Sequence, residues 1–271
     1  MTIFHYRYLA LLCAVQTRFF KTSITIRRQV QAFQVAIIFY CSLASGQSLS
    51  NQVTIASPIS IPPYVFSGSD TGIQLDIVRE SLISAGLTLK VIYASNNRGL
   101  DLLKTHYADG MINAPEGIPG LYYSEPLIEF LNGVVALKSR NLKLEQVSDL
   151  QPLRVVGFQN ASNYFGRNFN TMSQTNKHYT EVVNQFAQIN MLFQKRCDAI
   201  VIDQRIFNFY LKHYQEDGAG FNQDTLFYNI LPPSPRYIAF HEQSLRDLFN
   251  KGLQQLKSSG RLQEIITSYL N

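Results

Sequence analysis

Tryptophan is absent from the 271 residues, and cysteine is scarce. Two of the three cysteines, Cys13 and Cys41, lie before residue 46. Cys197 is then the only thiol downstream, which excludes a disulfide framework there. No histidine–cysteine spacing resembles a zinc site, so no metal and no other cofactor is expected. No acidic residue precedes Asp70, and no Lys or Arg occurs between Lys104 and Lys138. The overall charge of +5 comes from one end of the chain. Of the 24 basic residues, Arg7, Arg18, Lys21, Arg27 and Arg28 precede residue 46; the remaining 19 balance the 19 acids. That balance leaves no electrostatic footprint for nucleic acid.

The first 46 residues have the layout of a secretory signal peptide. Arg27-Arg28 precede the apolar run Ala32–Cys41, and the small residues Ser42-Leu43-Ala44-Ser45-Gly46 follow. Cleavage is expected before Gln47. The apolar run is short of the roughly 20 residues that span a bilayer, which disfavours an uncleaved anchor. Contact with the membrane is therefore expected only during export.

Downstream, apolar periodicity alternates between strand-like and helix-like segments. Val53–Ala56 and Leu89–Tyr93 alternate as strands. Leu75, Val78, Leu82 and Ala85 share a helical face that Gly86 ends, with Asp70 or Thr71 as its cap. Phe130–Leu137 reads as one long strand, Leu153–Phe158 as another, and Pro232, Pro233 and Pro235 as a linker. Two helices close the chain, separated by Gly260. One unit occurs twice. Leu100 and Leu103 lead into Ala108-Asp109-Gly110-Met111-Ile112; Ile189, Leu192 and Phe193 lead into Cys197-Asp198-Ala199-Ile200-Val201. Each is a helix followed by a buried strand, with an Asp at the same place, so Asp109 and Asp198 read as structural turn residues. Two such units predict two α/β lobes, with a ligand crevice at the carboxyl ends of their strands.

Five motifs in this order resemble the type II periplasmic solute-binding proteins, in the family-3 branch of amino-acid receptors of ABC transporters. They are Pro62-Pro63-Tyr64; Gly72-Ile73-Gln74-Leu75-Asp76; Asp149-Leu150 with Val156-Gly157-Phe158-Gln159; Asp198–Asp203; and Ser258-Ser259-Gly260-Arg261-Leu262. The resemblance implies an α/β fold of two lobes, each a sheet flanked by helices. Lobe 1 would comprise 47–137 plus 235–271 and lobe 2 residues 138–234, with hinge segments near 134–139 and 230–237. It implies a periplasmic, monomeric, non-catalytic protein that captures a small polar, amine-bearing ligand for an ABC permease. Two other functions stay open: a degenerate receptor or sensor that binds a partner protein, and a periplasmic enzyme similar to cyclohexadienyl dehydratase.

The resemblance also marks the candidate ligand-binding residues. Asp203 matches the acid that accepts the ligand ammonium, the reading preferred here; as a strand-end Asp it also reads as a cap for the helix near Arg205. Ser162 and Asn163 match a stretch that offers N–H groups to an anion, and also read as a plain helix cap. Tyr64 is either a ligand-facing ring or a core ring. Asn96 stands where the family has an aromatic residue, and Gln159 ends the lobe 2 motif. Asn113 opens the loop in which the family carries a carboxylate-gripping arginine. That loop, 113–121, is about four residues short and holds no cation. Ordinary α-amino acids are therefore expected to bind weakly.

Overall fold

A computed structural model describes residues 51–216 and 223–270. The expected signal segment, 1–46, lies outside the described residues. Among the described residues no helix is long and apolar enough to cross a membrane.

Two five-stranded sheets are built to one plan. The first contains β1 (Gln52–Ser57), β4 (Thr88–Tyr93), β5 (Gly110–Ile112), β6 (Tyr122–Tyr123) and β14 (Ile238–Phe240), in the order β4-β1-β5-β14-β6, while β2 (Ser60–Ile61) and β3 (Val65–Phe66) form a separate antiparallel hairpin. The second contains β8 (Asn132–Leu137), β9 (Val155–Phe158), β10 (Tyr179–Val182), β11 (Ala199–Asp203) and β12 (Thr225–Tyr228), in the order β10-β9-β11-β8-β12. In each, three parallel strands lie with the first in the middle, and an antiparallel strand follows on one side. Crossover helices make this possible, because parallel neighbours need a long return. They are α1 (Ile73–Ser84) and α2 (Asn96–Lys104) in the first unit, and α3 (Gly166–Thr175) and α4 (Gln185–Phe193) in the second. α5 (Gln204–Glu216) follows β11, and α6 (Gln243–Ser258) and α7 (Arg261–Ser268) end the chain. Central strands are mostly apolar: Ile55, Val135, Val155, Ile200 and Ile238 are fully buried.

The repeated aspartates hold equivalent places. Asp109 Oδ2 accepts the Thr54 N–H at 2.7 Å, and the Asp109 N–H donates to Thr54 O. Asp198 Oδ2 accepts the Arg154 N–H at 2.9 Å, and the Asp198 N–H donates to Arg154 O. Each ties the start of its strand to the first strand of its own sheet. Asp198 also pairs with Arg140 at 2.5 Å and with Arg154 at 2.8 Å.

Three expectations change. Phe130–Leu137 is not one strand: it breaks at Leu131 into β7 (Ile128–Phe130) and β8. β8 pairs with β11 and β12, so residues 132–137 belong to the second sheet rather than the first. The proline-rich segment is not a plain linker. Ser234–Arg236 forms β13, antiparallel to β7, with Pro235 opposite Glu129. A two-stranded ribbon consists entirely of edges, where a proline without an N–H is tolerated. This β7–β13 ribbon is where the chain passes between the two sheets. Finally, neither Asp70 nor Thr71 caps α1; the cap is Gly72, at φ 129 and ψ 157, with no side-chain capping bond. Asp70 instead accepts from the Tyr93 hydroxyl at 2.6 Å.

Candidate ligand cleft

A cavity of about 440 Å³ is lined by residues from both sheets. Its wall collects residues at or just past the carboxyl ends of all six parallel strands. Pro58 follows β1, Asn96 follows β4 and Asn113 follows β5; Gln159 follows β9, Val183 and Asn184 follow β10, and Asp203 ends β11. This is the topological position at which open α/β sheets bind ligands. The ribbon contributes Phe130 and Arg236, and Tyr164 and Tyr210 come from the second half.

Of the expected site residues, Asn96, Asn113, Gln159 and Asp203 line the cavity, whereas Tyr64, Ser162 and Asn163 do not. Asn113 has its amide committed: its Oδ1 accepts from Gln74 Nε2 at 2.8 Å, and its Nδ2 donates to Gln74 Oε1 at 3.1 Å. Asn96 and Gln159 are exposed.

Tyr64 is fully buried and stacks on Phe130 with ring centroids 4.1 Å apart. Its hydroxyl donates to Asp203 Oδ1 at 2.9 Å and so joins the first half of the chain to the second. Of its two readings, the core ring is the one the structure displays.

Asp203 is not a solvated carboxylate in an open cleft. It is 1% exposed. Besides the Tyr64 hydroxyl, Oδ1 accepts the N–H groups of Arg205 at 2.9 Å and Ile206 at 3.0 Å, capping α5. Oδ2 accepts the Leu131 N–H at 2.6 Å. Burial pushes the carboxyl above its usual range, against the pull of the Ile206 N–H, the Tyr64 hydroxyl, Arg205 and the Leu131 N–H. Burial also raises the Tyr64 hydroxyl well above its ordinary value. The cap reading therefore holds in the geometry, together with a cross-connection that no local pattern announces.

Ser162 and Asn163 lie on a short 3₁₀ turn, Ala161–Asn163. The N–H groups that would receive an anion already have one. Glu181 accepts the Asn160 N–H at 2.6 Å through Oε2 and the Ser162 N–H at 2.8 Å through Oε1; the Tyr179 hydroxyl donates to Oε1 at 2.8 Å. Burial acts to raise the Glu181 carboxyl, but these donors, Ser162 foremost, outweigh it and hold the group below its ordinary value. A carboxylate depressed in this way adds stability above the ordinary glutamate pKa, and the contribution disappears as pH falls through the folded-state value. E181Q keeps one acceptor oxygen and loses the other. We expect it to cost about 1 kcal/mol at neutral pH, to flatten the acid limb of the stability curve, and to leave ligand affinity unchanged. Urea unfolding between pH 3 and 7, with a binding titration, measures all three. A loss of ligand affinity with unchanged stability would return this turn to the binding site.

Arg236 was missed by motif reasoning, which looked for a cation in loop 113–121. The available signal was slight: Arg236 is the sole Lys or Arg between Lys212 and Arg246, next to a proline. Its guanidinium carbon lies 4.6 Å from the Phe130 ring centroid and 5.1 Å from that of Tyr164. Burial lowers its pKa, opposed by the field of Tyr164, Asp203, Tyr64 and Glu116.

No protein-family model and no curated protein sequence matches the chain. Solved structures do match its fold. The ligand-binding core of GluR0, in complex with L-glutamate, is 20% identical, with a TM-score of 0.65 over 83% of this chain and 100% of that one. A histidine kinase sensor domain with similarity to periplasmic binding proteins is 13% identical, with a TM-score of 0.65 over 81% and 96% of the two chains. An amino acid ABC transporter substrate-binding protein from Streptococcus pneumoniae, bound to L-arginine, is 17% identical, with a TM-score of 0.62 over 81% and 94%. At such identities the likeness shows the fold alone. That fold is α/β and two-lobed, of the periplasmic-binding-protein kind.

Proposed function

We propose that the chain is a solute-binding protein that captures a small polar ligand between its two lobes, without catalysis. One observation carries this reading: the 440 Å³ cavity is walled by residues at the carboxyl ends of both sets of parallel strands. Its volume is in the range of small-molecule sites. Structural neighbours solved in complex with L-glutamate and bound to L-arginine support it. The lobes would be 51–131 plus 235–270 and 132–234, hinged at the β7–β13 ribbon, and would close on the ligand. Export through residues 1–46, a periplasmic location, a monomeric state and delivery to an ABC permease complete the proposal. They rest on the basic–apolar–small layout of that segment and on the five-motif resemblance.

A thermal-shift screen against amino acids, polyamines, opines, sugars and short peptides tests the reading. A ligand at about 100 times its Kd adds about 2.7 kcal/mol of stability, and small-angle scattering should then report a more compact particle. A chain that no compound stabilises, and that instead co-purifies with a protein partner from its own host, would overturn it in favour of the partner-binding receptor.

A further inference from the structure

We propose that Arg236 is the anion anchor of this cleft and that its ligand is a small organic monocarboxylate whose remaining polar groups are uncharged hydroxyls or amides. The proposal rests on the small-ligand reading above and assigns the ligand class.

Among the lining residues Arg236 is the sole base and Asp203 the sole acid. They are not equivalent. Asp203 accepts four hydrogen bonds from the protein. The Arg236 guanidinium makes no hydrogen bond or ion pair among the described residues, and its Nε is shielded from solvent with no partner. A second lining donor, Asn132 Nδ2, is shielded and unpartnered in the same way. Taking a cation out of water without a counter-charge is costly, and unpaired buried donors add to that cost. A ligand carboxylate relieves both.

The geometry suits that group. The guanidinium carbon lies over the rings of Phe130 and Tyr164, cation–π contacts that engage its charge without using its N–H donors. A planar fork whose donors have no partner matches a carboxylate bidentately. Only one positive charge is unsatisfied, so a second ligand anion finds no partner. A ligand ammonium finds a carboxylate already engaged, so an amine is not required. The exposed amides of Asn96, Gln159 and Asn184 on the rim suit hydroxyl or amide groups. The cation thus comes from the ribbon between the lobes rather than from loop 113–121, where it was sought.

Calorimetric titration of the purified protein with D-gluconate, L-pyroglutamate, L-glutamine, sorbitol, putrescine and inorganic phosphate tests this, alongside R236Q, R236K and R236M. D-gluconate or L-pyroglutamate should bind, and L-glutamine, whose ammonium finds no free acid, sorbitol, putrescine and phosphate should not. R236Q should weaken the carboxylate at least 100-fold, and R236K, which keeps charge without the fork, about tenfold. Without ligand, R236M should melt at the same temperature as the parent or higher, because it removes an unpaired, partly buried charge. Binding of L-glutamine, sorbitol, putrescine or phosphate in preference to gluconate and pyroglutamate, or carboxylate binding that survives R236Q, would overturn the proposal while leaving the small-ligand reading intact. No binding by any of the six would overturn the monocarboxylate anchor, and the small-ligand reading would then stand or fall on the wider thermal-shift screen. A clearly lower melting temperature for ligand-free R236M would make Arg236 a structural prop and overturn the anchor as well.

Discussion

Asp203→Ala is expected to destabilise the ligand-free protein by about 3–5 kcal/mol, since four donors lose their acceptor and α5 loses its cap. The Tyr64 hydroxyl and the N–H groups of Leu131, Arg205 and Ile206 all converge on this carboxylate. Each buried donor left unpaired costs about 1–3 kcal/mol, less where water from the adjoining cavity can replace the oxygen. For a domain of this size that amounts to a fall in Tm of about 10 °C. Asp203→Asn should cost less. One amide oxygen can still serve the Oδ1 donors, but the NH₂ group then faces the Leu131 N–H, donor against donor. Tyr64→Phe removes the bond to Asp203 and the 3.3 Å bond accepted from Arg205, and should cost about 1–2 kcal/mol. Denaturant unfolding of the three variants gives the ranking. An Asp203→Ala protein as stable as the parent but unable to bind any ligand would restore Asp203 as the ligand's own anchor.

Gly72→Ala should be comparably damaging, at about 3 kcal/mol or more. Gly72 lies at φ 129 and ψ 157, a region in which a side chain is strained by about 1–3 kcal/mol. An added Cβ would also sit 2.4 Å from Tyr64 O and 2.7 Å from Tyr64 C. These are backbone atoms, so relief requires the Pro62–Tyr64 turn to move, and such overpacking costs a further 1–3 kcal/mol or so. The turn carries the Tyr64 ring onto Phe130 and its hydroxyl onto Asp203. Ligand affinity should therefore fall along with stability. Gly68→Ala is the control: its Cβ would meet nothing within 4 Å, so a change within about 0.5 kcal/mol is expected. Equal melting temperatures for the two variants would mean that the turn has slack which this packing does not show.

The strands and helices were largely legible because apolar periodicity is a property of near neighbours in the chain. Alternation at 53–56 and 89–93 marks β1 and β4, and the helical face of Leu75, Val78 and Leu82 marks α1. The paired Asp109 and Asp198 units announced two similar α/β halves, since the same short strand-start requirement recurs in both sheets. Four of the seven expected site residues also line the cavity, because strand ends can be located from the pattern alone.

What only the tertiary structure decided is the charge of the cleft. Glu181 fills the N–H groups at Asn160 and Ser162 from a neighbouring strand, some twenty residues along the chain. Asp203 receives Tyr64 from the other half of the chain, 139 positions away, and is thereby committed. Arg236 stands in the cavity because β13 pairs with β7, more than a hundred residues earlier. The break at Leu131 has a similar origin: β7 takes its partner from the ribbon and β8 takes its own from the second sheet. A side chain's charge is written in the sequence. Whether that charge is neutralised by the protein or left for a ligand depends on contacts between distant segments, which no local periodicity encodes.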